Sequence, residues 1–400
     1  MRTILLTLFS IILFCTQSPA CTSILVSGSA SKDGRPLLFK NRDTGALSNI
    51  MVCLKGEKYL FTGIANAKDT LAHEIWGGYN EKGFAIINTA DYNLNKVNMK
   101  KEREGEIMRI ALGKCASLKD FENLLDSMPR PLCLNTNFGV IDAYGGCAYY
   151  ETGNNGYVKF DANDKTIAPQ GFLMHTNFGF TGDRSKDQGS ERYMAITEFM
   201  NNSYKKNQMD AIYLATRIPR YMRHGLTHTC LSDPMPESQN DTTMRPFRDY
   251  IPRYITASSL LIQGVRDKEP ASHTIGWTII GYPLTTVCVP IVITGNGCLP
   301  RTFGPGKHGK SWMAEKGLAL KKSLFPYNIS NGHDYINVAQ LTNKQNTGLL
   351  QQVLSIEETI IGKSLPIIAG MRKEKKHWKE DWNAFYLWID QYLQQQTLYQ

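Results

Sequence analysis

Short runs of β-branched and aromatic residues, punctuated by Gly, Asp, Lys and Asn, predict strands at 22–27, 36–41, 51–54, 59–64 and 84–89. Apolar residues then recur at helical spacing over 104–115 and 118–127. A second strand set follows at 138–141, 146–152, 156–160 and 171–175, and helices are expected at 190–202 and 209–221. A third strand block covers 255–263, 274–280 and 286–294. Strand blocks separated by helical pairs indicate an α+β fold in which sheets are covered by helices. From about 311 the pattern turns helical, with Gly, Ser and Pro breaks at 323–332 and 362–366. The last segment, 378–398, carries Trp382, Phe385, Leu387, Trp388, Tyr392 and Leu393 on one apolar stripe, which reads as core packing. These patterns divide the chain into a main domain over 21–310 and a helical C-terminal extension over 311–400.

The opening residues have a different logic. Arg2 precedes an apolar run over 4–15, and Ser18 and Ala20 supply small residues at −3 and −1, so 1–20 reads as an export signal cleaved after Ala20. Export to the periplasm or the extracellular space is the expectation. The alternative is a lipid-anchored binding or structural protein in which Cys21 is the lipidation site, although Ser18-Pro19-Ala20 lacks the leucine usual at such sites. No later run is long enough to predict a transmembrane helix.

Composition narrows the classes further. Hydrophobic residues at 42% and charged residues at 20% exclude wholesale disorder. The net charge of +9, or +8 once Arg2 leaves, is spread along the chain apart from Arg372-Lys373-Glu374-Lys375-Lys376, and no nucleic-acid-binding module accompanies it. Of nine cysteines, eight lie beyond the signal, with no C-x-x-C and no histidine pair at zinc spacing. Neither a metal nor a cofactor is expected.

Cleavage after Ala20 would place a thiol and a free α-amine on one residue, Cys21. That pairing is a nucleophile with its own base, because an α-amine titrating roughly near pH 8 takes the thiol proton without a second side chain. A turn at Ser31-Lys32-Asp33-Gly34 folds the first two strands into a hairpin and returns Lys40-Asn41-Arg42-Asp43 beside Cys21. Asp43 is then placed to accept a hydrogen bond from the amine, and Lys40 or Arg42 to depress the thiol pKa. The competing reading is a solvated hairpin end.

Cys-Thr-Ser at a processed terminus followed by Lys-Asn-Arg-Asp resembles the N-terminal-nucleophile hydrolases of linear amides. This is the choloylglycine hydrolase, penicillin V acylase and acyl-CoA:6-aminopenicillanate acyltransferase group, whose segment reads Arg-Asn-x-Asp. Lys40 falls where arginine is usual, so either Lys40 acts as a point charge or Arg42 has taken the role. Tyr79-Asn80-Glu81-Lys82-Gly83-Phe84-Ala85-Ile86 resembles the strand preceding an oxyanion-hole position, which falls here within 88–90, with Asn88 the candidate. His175-Thr176-Asn177 resembles the segment whose asparagine amide faces the oxyanion. Gly189-Ser190-Glu191-Arg192, Thr256-Ala257-Ser258-Ser259 and Gly281-Tyr282-Pro283 look like the acyltransferase branch. The resemblance, over about 21–295, implies a four-layer αββα sandwich and an amidohydrolase or acyltransferase acting on a small-molecule N-acyl substrate through a thioester. The implied site residues are Cys21, Asp43, Asn177, Lys40, Arg42 and Asn88.

One motif points elsewhere. Residues 304–311 match G-x-x-x-x-G-K-[ST] letter for letter, but the candidate strand ends about ten residues earlier and Pro300 intervenes, so a glycine loop is expected rather than a nucleotide site. A second cysteine site built from Cys230 and a histidine would require a proximity that sequence does not show.

Overall fold

The computed structural model describes residues 20–94, 103–295, 299–327 and 329–400. The expected export signal lies outside the described residues except for Ala20, as does Cys298. In chain order the elements are β1 (Cys21–Val26), β2 (Leu37–Asp43), β3 (Asn49–Lys55), β4 (Leu60–Asn66), β5 (Gly78–Asn80) and β6 (Ala85–Ala90). There follow α1 (Glu104–Lys114), α2 (Leu118–Ser127), β7 (Thr136–Ile141), β8 (Cys147–Thr152), β9 (Tyr157–Asp161), β10 (Phe172–His175), α3 (Ser190–Lys205) and α4 (Ala211–Arg217). The rest are β11 (Met244–Pro246), β12 (Thr256–Gln263), β13 (Ile275–Ile280), β14 (Val289–Ile291), α5 (Trp312–Leu324), β15 (Tyr335–Asn337), α6 (Val338–Leu341), α7 (Leu349–Arg372) and α8 (Trp378–Gln395).

Two antiparallel sheets dominate. One has the order β10-β1-β2-β12-β13-β14 and the other β3-β4-β5-β6-β7-β8-β9. They face each other through β1 and β2 against β6, β7 and β8. Helix α1 covers the outer face of the seven-stranded sheet, and Ile107, Met108, Phe121 and Leu125 of α1 and α2 meet Phe84, Phe138 and Tyr150 there. Helices α3, α4 and α7 cover the six-stranded sheet, so the layers run αββα, as the resemblance implied. Strands buried on both faces need not alternate, and β1 and β2 are buried at every position. Val353, Ile360, Trp382, Phe385 and Ile389 of α7 and α8 belong to the same hydrophobic cluster as Leu260, Ile279 and Ile291 of the six-stranded sheet. The C-terminal helices are therefore part of the outer helical layer.

Two expectations are corrected. The break expected at 362–366 does not occur, since α7 runs through Gly362 and Pro366. These residues are four apart, both exposed, so the carbonyl left without its helical donor belongs to a glycine that faces water. The strand expected over 286–294 pairs only at Val289–Ile291, an edge strand whose Pro290 has no N–H to give. Residues 304–311 form a loop capping α5: Ser311 accepts from the Ala314 amide and donates to the Thr302 carbonyl, and Lys310 pairs with Glu315. The hydroxyl and ammonium that a phosphate would need are thus already engaged.

Candidate active site

Cys21 heads β1, an interior strand flanked by β2 and β10. The antiparallel register sets Cys21 opposite Arg42 and Ser23 opposite Lys40, and directly paired residues share a face. The thiol therefore shares its face with both cations, while Asn41 and Asp43 project from the opposite face. On the thiol side Ser23 accepts from Tyr149 Oη at 2.8 Å, which places this face between the sheets.

The cations are buried and well held. Lys40 Nζ donates to the Trp76 carbonyl at 2.8 Å and to Asn88 Oδ1 at 2.6 Å. Arg42 spreads its fork between Asn49 Oδ1 at 2.8 Å and Asn66 Oδ1 at 2.9 Å, over the Trp76 ring at 4.8 Å. Burial lowers Lys40 to about 8 and Arg42 to about 10, opposed in both by the adjacent Cys21. The two do different work: Arg42 stands directly across from Cys21, whereas Lys40 ties β2 to β6 through Asn88, whose Nδ2 bonds Thr136 Oγ1 at 3.1 Å.

Asn177 lies just beyond β10 and comes directly to Cys21. Its Oδ1 accepts from the Cys21 backbone nitrogen at 3.0 Å, and its Nδ2 donates to the Ala90 carbonyl at 2.9 Å. Asp43 Oδ1 accepts from Thr256 Oγ1 at 2.6 Å, and Oδ2 faces Arg253 Nη1 at 3.8 Å with no hydrogen-bond partner among the described residues. Burial raises its carboxyl above the usual range, against the pull of Arg253 and Arg192. In this chain, joined to Ala20, the Cys21 nitrogen is an amide, and Asn177 rather than Asp43 receives its hydrogen.

The structure adds Arg192, which the sequence reading left within a motif without a role. At the start of α3 and 2% exposed, it donates through Nη1 to the Cys21 carbonyl at 2.6 Å and Thr22 Oγ1 at 3.0 Å, and through Nη2 to Asn177 Oδ1 at 2.8 Å. Gly189 makes this possible: its φ is +77°, and a Cβ there would lie 2.1 Å from Arg192 Nη2. The signal was the Gly-x-x-Arg spacing at a helix start, where a cation opposes the helix dipole and needs a reason to be present.

A cavity of about 410 Å³ opens beside Ala20, lined by Arg192, Arg253, Glu191 and Asp249 among others. A larger one of about 700 Å³, between β3 and residues 299–309, touches none of the candidate residues. Burial pushes the Cys115 thiol up to about 12 and raises those of Cys147 and Cys288 well above the usual thiol range, so they remain protonated near neutral pH. Cys230 shares a hydrogen bond with Ser232, while His224 and His228 engage loop amides and Glu198. Among the described residues no group of three or more His, Cys, Asp and Glu is arranged to hold a metal, and no helix is long and apolar enough to cross a membrane.

Residues 29–215 match the family described as acyl-coenzyme A:6-aminopenicillanic acid acyl-transferase. No curated protein matches the chain. Among solved structures, the Caenorhabditis elegans N-acylethanolamine-hydrolyzing acid amidase ortholog is 18% identical at TM-score 0.38, covering 60% of this chain and 92% of that one. A mutant conjugated bile acid hydrolase from Clostridium perfringens is 12% identical at TM-score 0.37, covering 68% and 92%. Penicillin V acylase from Agrobacterium tumefaciens is 12% identical at TM-score 0.35, covering 69% and 87%. The family match holds Lys40 to Asp43, Asn88, Asn177 and Arg192 but begins after Cys21. Over 29–215 the chain thus carries the pattern of the acyl-coenzyme A:6-aminopenicillanic acid acyl-transferase family.

Proposed function

We propose that the protein cleaves a linear amide (N-acyl) bond with Cys21 as nucleophile, after export and removal of the chain preceding Cys21. The observation that carries this reading is the convergence on one strand end: the Cys21 nitrogen on Asn177, the Cys21 carbonyl on Arg192, and Arg42 across the ladder. The freed α-amine takes the thiol proton, and sulfur attacks the carbonyl carbon of the substrate. The tetrahedral oxyanion is met by Asn177 Nδ2 and by a backbone N–H near Asn88. The α-ammonium then gives its proton to the leaving nitrogen, the C–N bond breaks, and the acyl group remains on Cys21 as a thioester. Water completes hydrolysis by the reverse sequence. Attack by an amine instead gives acyl transfer. The charged walls of the cavity beside Ala20 favour a polar group of the substrate there.

The lipid-anchored alternative is disfavoured because Cys21 begins an interior strand and is held by Asn177 at its nitrogen and Arg192 at its carbonyl, whereas a lipid-bearing residue is expected on a free segment outside the folded domain. Mass spectrometry tests the proposal. The mature protein should begin at an unmodified Cys21 and, mixed briefly with excess N-acyl substrate, should gain the acyl mass on that residue. Retaining Met-Gly before Cys21, or Cys21→Ala, should abolish turnover. Full activity in the extended protein would remove the α-amine as base, and a lipid adduct on Cys21 would remove the enzyme reading.

A further inference from the structure

Asn177 leaves β10 at the edge of one sheet, yet the segment after it is fastened to the other sheet. The main fastening is Glu151 on β8, which is 2% exposed. Its Oε1 accepts from the Phe180 amide, and its Oε2 from the Thr181 amide at 3.0 Å and the Thr181 hydroxyl at 2.6 Å. Asn93 clasps the same loop, accepting from the Gly179 amide at 2.8 Å and donating to its carbonyl at 3.0 Å. A Cβ on Gly179 would lie 3.0 Å from Glu151 Oε2 and 2.5 Å from Asp91 Oδ2, so only glycine lets the carboxylates approach the loop. The imidazole beside Glu151, His175 Nε2 at 3.7 Å, is lowered to about 4 by burial against the attraction of Glu151, and so is neutral near pH 7. The Glu151 carboxylate is therefore met by the loop's own N–H and O–H groups rather than by a cation. Burying a carboxylate this way is costly, and a neutral residue would fill the space more cheaply if packing were its only role.

We propose that Glu151 is a positioning residue for acyl transfer, acting through Asn177 by fixing segment 177–181 so that the Asn177 amide stays on Cys21. The inference rests on the reading of Cys21 and Asn177 given above. Its oxygens all serve as acceptors, and the nearly isosteric Glu151→Gln replaces one with an NH2 that faces a loop donor. In folded Glu151→Gln, kcat should fall on the order of tenfold to a hundredfold with KM nearly unchanged, as expected when a reacting group is displaced slightly. Thr181→Ser, which keeps the hydroxyl, should behave as wild type.

The deciding measurement is a double-mutant cycle with Asn177→Ala. If Glu151 acts through Asn177, Glu151→Gln should lower kcat in the wild-type background and leave it unchanged in Asn177→Ala. An equal loss in both backgrounds, or no loss in folded Glu151→Gln, overturns the inference while leaving the proposed reaction in place. An unchanged kcat for Asn177→Ala alone defeats the site reading itself and this role with it. If Glu151→Gln does not fold, Thr181→Val carries the same cycle, since it removes one of the three hydrogen bonds and leaves the carboxylate.

Discussion

Arg192→Met removes the guanidinium while nearly preserving side-chain volume, and it takes three hydrogen bonds with it: those to the Cys21 carbonyl, Thr22 Oγ1 and Asn177 Oδ1. Bonds from a charged donor are worth about 1.5–3 kcal/mol each, but three bonds from one group do not add. On the proposed reading, the catalytic share follows from Asn177 as the oxyanion donor. A well-aligned oxyanion donor contributes about 3–4 kcal/mol. Without Arg192, Asn177 Oδ1 keeps one of its two partners, so we expect the loss of about 2–3 kcal/mol of that stabilisation, or roughly 30- to 150-fold in kcat. Folding should suffer less, because Arg192 is attracted by Asp43 but repelled by Arg253, and Asp43 retains Arg253 at 3.8 Å. The assay is kcat and KM on an amide with a chromogenic leaving amine, beside a melting curve. Gly189→Ala is the independent companion: it leaves the arginine but displaces it, and should lower kcat in the same way. A folded Arg192→Met protein with kcat within about threefold of wild type would refute the assignment of Arg192 to orienting Asn177.

In mature enzyme, Asp43→Asn should lower the pKa of the Cys21 amine and move the acid limb of the pH–rate profile to lower pH; an unmoved limb, with any loss of rate tracking melting temperature, would retire this role. Lys40, lowered to about 8 by burial, loses its charge as pH rises through that value, so a rate requiring the cation should fall there and Lys40→Arg should carry the alkaline limb upward. The linkage has the matching sign: between about 8 and the unfolded value of roughly 10.4 the unfolded chain binds the extra proton, so stability should rise with pH in wild type and not in Lys40→Met. Glu357 on α7 holds buried Arg220 at 2.7 and 2.8 Å, so Glu357→Gln should cost about 3–5 kcal/mol in chemical denaturation with kcat of the folded protein unchanged; a cost below about 1 kcal/mol would contradict it.

What could be read from the chain divides by the range of the physics involved. The β1–β2 hairpin was legible because its signals are local: two apolar runs, a turn, and alternation that puts Lys40 and Arg42 on one face. β5 escaped because three residues of Gly-Tyr-Asn carry little strand propensity and are held mainly by β4 and β6. The end of β14 was overextended because apolar burial continues through Ile293 after the ladder stops. Arg192 could be located by its Gly-x-x-Arg spacing but not given a role, since its acceptors come from β1 and from the segment after β10. Glu151 is the extreme case. Nothing near it marks its importance, and its partners lie about thirty residues on.

On the proposed reading, the bond to Ala20 bears on the surroundings of Asp43. Asp43 Oδ2 is buried facing Arg253 at 3.8 Å, with no hydrogen-bond partner among the described residues. In the joined chain the Cys21 nitrogen has one hydrogen, and Asn177 takes it. On the proposed reading, cleavage converts that amide to an amine that gains up to two further hydrogens on protonation, and Asp43 Oδ2 is the acceptor for one of them. The same change restores the nitrogen lone pair, which an amide shares with its carbonyl, and so creates the base. Removal of one peptide bond would then satisfy the buried acid, generate the base and vacate the space beside the nucleophile together. The joined chain should accordingly be both inactive and less stable than the mature one, and equal stability of the two would separate Asp43 from the amine.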